Sequence, residues 1–313
     1  MEHLIYTDTA LNDIGYAVGF SLDLENGKDN DFTFKVALSD FNKYKAGCYI
    51  YCEKSPEFGG RISTYSPNTA SGTVTFAGRT WRGMFSRKYL CKSLNFASGT
   101  PIGNIIAELI AELNFSDTFE AVHNEHTISQ PCTLNSLGNA LTELETLLSA
   151  SSCRPSFVFD PLSKKIKIGA DAIADYSTSE YDSRNVNLEL YVNTMPVNHV
   201  VAVLGDGSLR HRYLHLDGTQ SETVQEITGA NEVMSVIKVS NSAEISQAMQ
   251  AVIDESLAAS QTCAVSVNSI DADIGDIVGG RENTTGIFVK SKITSKILKM
   301  TEFTSVVNFE TGV

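Results

Sequence analysis

The sequence predicts a mainly β protein with an α+β insertion, and three observations carry that expectation. Short apolar segments with period two recur through residues 1–92, with turn residues between them. Near residue 100 the period becomes helical, and after residue 185 the β pattern returns. The expected organisation is a first β-barrel region at 1–92, completed by part of 185–225. An inserted α+β domain at 93–184 follows, and then a second β-barrel region with one helix at 185–313.

In the first region, residues 16–24 alternate as a strand and residues 25–31 supply turn residues. Phe32, Phe34, Val36 and Leu38 then mark one face of a second strand. Residues 47–52, 60–65 and 73–81 continue the series, separated by Gly or Pro clusters. Strands at this spacing suggest a barrel or sandwich.

The insertion opens with Thr100 as an expected N-cap and Pro101 at the first helical position. Residues 102, 105, 106, 109, 110 and 113 form one apolar helical face. A second helix is expected over 135–149, with Leu137, Leu141, Leu144 and Leu148 in its buried stripe. Residues 156–169 read as a hairpin. In the last region, 197–205 and 210–216 read as strands. A helix over 241–257 has Asn241 as a possible cap and Glu244 at the reciprocal capping position. Ile245, Ala248, Met249, Val252 and Ile253 form its apolar face, and closing strands are expected near 263–267, 286–291 and 305–310.

The 313 residues carry 24 basic and 37 acidic side chains, a formal charge of −13. This balance opposes a protein that grips nucleic acid or anionic membrane through clustered cations. The excess is uneven: 11 basic and 10 acidic residues over 1–92, 5 and 12 over 93–184, and 8 and 15 over 185–313. No apolar run is long enough for a transmembrane helix, and the first residues lack a signal peptide's basic and apolar regions. Six scattered cysteines without a CxxC pair read as reduced thiols, mostly buried.

Few residues point to chemistry. His123 and His126 have HxxH spacing, but in a stretch that reads as loop. His211 and His215 share a face of a predicted strand near Asp206 and Asp217, and cross-strand packing is the preferred reading over a metal site. No nucleophile elbow, HExxH or phosphate-cradling loop occurs. Gly205-Asp-Gly207 reads as a tight turn. No catalytic residue, metal ligand or cofactor is therefore expected. Arg79, Arg82, Arg87, Lys88 and Lys92 form the only basic cluster, interleaved with Trp81, Phe85 and Tyr89. Such a cluster can stack on single-stranded nucleic acid, cover a barrel end, or meet another subunit. The acidic balance favours the subunit interface, with Arg79, Trp81, Arg82, Phe85, Arg87 and Lys88 as its residues.

Four stretches resemble the baseplate hub proteins of phage tails, prophages and phage-tail-like particles. They are the turn ending in Asn30-Asp-Phe-Thr-Phe, and Glu57-Phe-Gly-Gly-Arg-Ile leading to Phe76-Ala-Gly-Arg-Thr-Trp-Arg-Gly-Met-Phe, which is similar to the family's GxTWRGxL stretch. The others are Asn198-His-Val-Val-Ala-Val-Leu-Gly-Asp-Gly-Ser-Leu and Ile274-Gly-Asp-Ile-Val-Gly-Gly, the last with Lys292-Ile-Thr and Phe309-Glu-Thr-Gly beyond it. They fall in the family's order along nearly the whole chain. The resemblance implies two tail-tube-like β-barrels per subunit and a homotrimeric ring with pseudo-sixfold symmetry. Such a ring joins a sixfold tail tube or distal tail protein to a threefold spike or fibre protein. Tape-measure protein and DNA pass through it transiently. It implies a place in the virion tail, assembled in the host bacterial cytoplasm, with no membrane binding by this chain. The chain is shorter than the larger members and shows no lytic extension after Val313, which weighs against an enzymatic role. The competing expectations are a tail-associated cell-wall hydrolase or peptidase and a carbohydrate-binding β module.

Overall fold

The computed structural model describes residues 2–177, 186–193, 195–239, 244–259, 261–267, 272–281 and 288–312. The chain forms two units. One holds Met1–Ser179, Ser266–Val278 and Ile293–Glu310, the other Glu180–Val265, Gly279–Lys292 and Thr311–Val313. The described part is mainly β, as the sequence predicts.

The first unit begins with β1 (Leu4–Thr7), β2 (Asp13–Tyr16), β3 (Ser21–Asn26), β4 (Asp31–Ala37), β5 (Tyr49–Cys52), β6 (Gly59–Asn68) and β7 (Thr73–Thr80). The alternation over 16–24 spans two strands rather than one, because the chain turns at Gly19, whose φ is +60°. After a short helix, α1 (Trp81–Phe85), the insertion runs through β8 (Leu94–Phe96), α2 (Ile102–Glu112), β9 (Phe119–Ala121), β10 (Cys132–Leu134), α3 (Ala140–Ala150), β11 (Cys153–Asp160) and β12 (Lys165–Ala172). Then come β13 (Val186–Val192), β14 (His199–Leu204), β15 (Leu209–Leu214), β16 (Gln220–Ser221), β17 (Met234–Val239), α4 (Ile245–Ala259) and β18 (Gln261–Val267). The last strands are β19 (Ile277–Arg281), β20 (Phe288–Thr301) and β21 (Ser305–Gly312).

In the first unit the strand order runs β21-β20-β3-β4-β7-β6-β5-β1-β2. Residues 296–301 of β20 pair with β3, so the C-terminal stretch joins the first region's sheet. β20 and β5 are five strands apart in this order, about 24 Å on a flat sheet. Yet Cys52 Sγ of β5 lies 3.9 Å from Met300 Sδ of β20. The sheet is therefore rolled upon itself. Its inward residues, among them Leu22, Leu24, Phe32, Phe34, Ile50, Phe76 and Leu298, are all buried in one cluster.

The outward face of the roll is also covered at β5, while β3 and β4 leave Asp23, Thr33 and Lys35 exposed. In β5, Ile50 and Cys52 point into the roll while Tyr49 and Tyr51 join a second core, so residues 47–52 read as a continuous apolar run. That second core is built by α2, α3, β11 and β12 of the insertion, through Ile105, Leu109, Leu144, Leu148, Phe157, Phe159 and Ile166.

Two helix starts differ from expectation. Pro101 rather than Thr100 occupies the N-cap of α2, and Thr100 Oγ1 donates instead to Ala97 O. The second helix begins at Ala140, where Asn139 caps it by accepting from Leu141 N and Thr142 N. Leu137 thus lies before the helix, with φ +63°, and is exposed rather than part of the stripe.

In the second unit the order is β16-β15-β14-β17, with β14 and β17 parallel. One face of this sheet packs on α4, where Val200, Ala202 and Leu214 meet Ile245, Met249 and Ile253. The expected cap Asn241 and the start of the strand expected at 286–291 lie outside the described residues.

Candidate functional site

The segment expected at a subunit interface grows out of β7. Thr80 ends the strand and caps α1, its Oγ1 accepting from Gly83 N at 3.2 Å. Gly83 presses on the β3–β4 turn: a Cβ there would lie 1.9 Å from Asn30 O. No other residue fits that position without moving backbone. The turn itself is shaped by Asn30, whose side chain accepts from Gly27 N and donates to Gly27 O.

With α1 held there, its side chains enter the insertion's core. Trp81 is fully buried, with ring centroids 6.1 Å from Tyr49 and 5.8 Å from Phe159. Its indole N–H donates to Pro56 O at 3.0 Å, satisfying the polar edge of the ring. Phe85 packs among Phe115, Phe119 and Phe157. Arg82, 5% exposed, donates to Pro155 O and pairs with Glu145, with its guanidinium 5.4 Å from the Phe157 centroid. Burial pulls the Arg82 pKa below its ordinary value, against the nearby Glu145 charge.

These placements correct the interface expectation for three residues. Trp81, Arg82 and Phe85 are consumed by contacts within their own chain, so a partner has no access to them. Arg79 is half-buried and donates to Asp29 O at 2.7 Å, near Asp31. Arg87 and Lys88 are exposed, Lys88 Nζ lying 4.7 Å from the Phe115 centroid. Lys92 pairs with Glu112 at 3.0 Å. The segment is thus a joint between roll and insertion, with cations left along its outer margin.

The C-terminal motif builds a second joint. Asp276 is fully buried and accepts from Arg154 Nε at 2.8 Å, Ala174 N at 2.9 Å and Asp273 N at 2.9 Å. Arg154 also donates to Asp273 at 3.0 Å. Burial disfavours the Arg154 charge, but Asp273 and Asp276 outweigh it and hold the guanidinium pKa above its usual value. Lys296 lies 3.7 Å from both Glu57 and Asp273.

The histidines separate rather than converge. His123 and His126 are exposed in the loop after β9. His215 lies beyond the end of β15, with Nδ1 3.3 Å from Glu226. His211 instead meets His199, which sequence reasoning did not select: His199 Nε2 and His211 Nδ1 are 2.9 Å apart, and His199 Nδ1 is 2.5 Å from Glu232. The signal was the strand at 199–204 beside that at 209–214, but pairing needs their register, His199 opposite Tyr213 and His211 opposite Val201. Asp206 serves the tight turn expected at 205–207, accepting from Ser208 N. Among the described residues no group of three or more His, Cys, Asp or Glu could hold a metal ion. A cavity of about 420 Å³ in the second unit is lined chiefly by Met195, Leu214, Leu216, Ile227 and Asn231.

No protein-family model matches the chain, and no curated protein matches it. Solved structures do. The chain is similar to a tail protein of Neisseria meningitidis MC58, with a TM-score of 0.57 and 12% identity over 100% of this chain and 96% of that one. It is similar to the 43 kDa tail protein of prophage MuSo2 from Shewanella oneidensis, with a TM-score of 0.55 and 11% identity over 99% and 97%. It is also similar to prophage tail protein gp18 of Listeria monocytogenes EGD-e, with a TM-score of 0.52 and 11% identity over 99% and 94%. The chain has the fold of phage and prophage tail proteins. This is the fold that the four ordered sequence motifs implied.

Proposed function

We propose that this chain is a structural baseplate hub of a phage tail or tail-like particle. Three copies close into a ring between a sixfold tail tube and a threefold spike or fibre protein. The observation that supports this most is end-to-end likeness to tail proteins: the shared fold covers this chain and nearly all of each of those chains. The joints at Trp81 and Asp276 fit a load-bearing role, because the motifs that carried the resemblance serve packing and ion pairing rather than a reactive centre. His211 and His215 have different partners, so they do not form the convergent site a peptidase or hydrolase requires.

The excess of 13 negative charges supports a channel through which DNA and tape-measure protein pass without being held, since like charge weakens phosphate binding. Arg79, Arg87 and Lys88 remain as interface cations on this reading. Mass measurement by light scattering tests the assembly. A species of three chains, alone or with tube or spike protein, is expected. A single chain under every such condition, or peptidoglycan cleavage lost on His211→Ala, would overturn it.

A further inference from the structure

The two sides of the sheet in the second unit are treated differently. Register places His199, Val201 and Val203 of β14 on one face with Tyr213, His211 and Leu209 of β15 and Met234, Val236 and Lys238 of β17. The opposite face is covered by α4. The centre of the first face is buried, His199 and Val201 being 5% and 7% exposed, whereas its flanks are open: Leu209 is 54% exposed, Met234 53% and Val236 61%. Large apolar side chains side by side on a sheet and open to water mark a contact surface. None of the nine positions is a carboxylate, although acids outnumber bases by 13 in the chain. The carboxylate at its rim, Glu232, is engaged by His199 and Gln225.

The first unit offers a surface of complementary chemistry. β2 ends the strand order of its sheet, and Ala17 N donates to Leu4 O. The alternate residues Tyr16 and Val18 therefore turn their backbone groups away from β1, toward the open edge. Ile14, Tyr16 and Val18 are 54%, 57% and 48% exposed. Asp13 and Glu53 border this apolar strip, Glu53 accepting from the Tyr16 hydroxyl at 3.2 Å.

We infer that the open flanks of the β14–β15–β17 face of one copy, above all Met234 and Val236 of β17, dock on the β2 strip of the next copy of this chain. This rests on the ring proposed above and names the surfaces that close it. A ring needs two different patches on each subunit; both of these expose large apolar side chains, and Lys238 borders one where Asp13 and Glu53 border the other. Self-apposition of the β14–β15–β17 face would set Lys238 and the histidines against their own kind and yield a twofold pair instead.

The test is intermolecular disulfide trapping in a Cys91→Ser background, because Cys91 is an exposed thiol. Tyr16→Cys combined with Val236→Cys, mildly oxidised at high concentration with tube and spike protein added, should give covalent species that stop at three chains. Either substitution alone should not. Charge supplies the second readout: Met234→Glu should weaken assembly on the order of tenfold or more, while Met234→Lys should preserve it. A three-chain mass with no cross-link, or one indifferent to Met234→Glu, would overturn the contact and leave the ring standing. A one-chain mass in every sample without cross-link would overturn both.

Discussion

At β5 the first unit buries both faces of its sheet, whereas β17 at the margin of the second unit's sheet is covered on one face only. In the roll, β5 sends Ile50 and Cys52 inward and Tyr49 and Tyr51 into the insertion's core, and all four are buried. In the second unit β14 has Val200 and Ala202 on α4, while its other face borders the exposed Met234 and Val236. Both regions have period-two strands, so the difference comes from what the chain places over them. An insertion of two helices and a hairpin covers the outward face of the first at β5; in the second, α4 covers one face, and the other is buried at His199 and Val201 but open at Leu209, Met234 and Val236. Closed faces report on stability and open ones on assembly.

Trp81→Ala should show the sharpest expression of that contrast. The side chain is fully buried between Tyr49 and Phe159, and its loss removes the indole bond to Pro56 as well. A cost of about 3–5 kcal/mol is expected in urea unfolding. Val236→Ala, on the open face, should change stability by about 0.5 kcal/mol or less. Equal costs would erase the distinction between the two regions.

Asp276→Ala tests the ionic joint of the closed unit. Removing it leaves Arg154 without its shortest ionic partner and frees the amides of Ala174 and Asp273. Breaking a buried pair from one side costs about 3–4 kcal/mol. Arg154→Met combined with Asp276→Ala should cost less than the sum of the single changes, because the second substitution strands no further charge. Additive costs would show that the two residues act independently.

Met249→Ala addresses the covered face of the second unit. Met249 is fully buried against the sheet, so truncation should cost about 2–4 kcal/mol, close to the first unit's scale. A cost near that of Val236→Ala would mean that α4 contributes no more than the open side.

How legible these regions were follows from the range of the interactions. Local pattern located the strands around Phe32, Phe34 and Val36 and the apolar face of α4, because alternation and helical periodicity belong to single elements. The order of motifs pointed to the tail-protein fold before any contact was known. What the sequence did not show was partnership across long separations. Trp81 and Arg82 looked like an aromatic and a cation of a surface cluster, and only the arrival of β11 buries them through Phe157, Phe159 and Pro155. His199 attracted no notice, since its pairing with His211 depends on hairpin register. Leu137 fitted a helical stripe until the Asn139 cap set the helix start beyond it. Each case turns on a partner or boundary that periodicity does not encode.

The smallest expected effect lies at the rim of the open face. The His199 hydrogen bond, helped by Gln225, holds the Glu232 carboxyl below its ordinary 4.5 despite some desolvation. A depressed folded value means that the unfolded chain binds the proton first as pH falls. The contribution of Glu232 to stability is therefore complete above 4.5 and is lost as acid carries the folded group through its lower pKa. Glu232→Gln should make the fall in unfolding free energy from neutral pH into acid slightly shallower. Every other side chain is common to both proteins, so a difference between the two curves isolates Glu232. Superimposable curves, or an NMR titration placing this carboxyl at or above 4.5, would show that the imidazole does not stabilise the carboxylate. The open face would then carry a histidine pair without an electrostatic anchor.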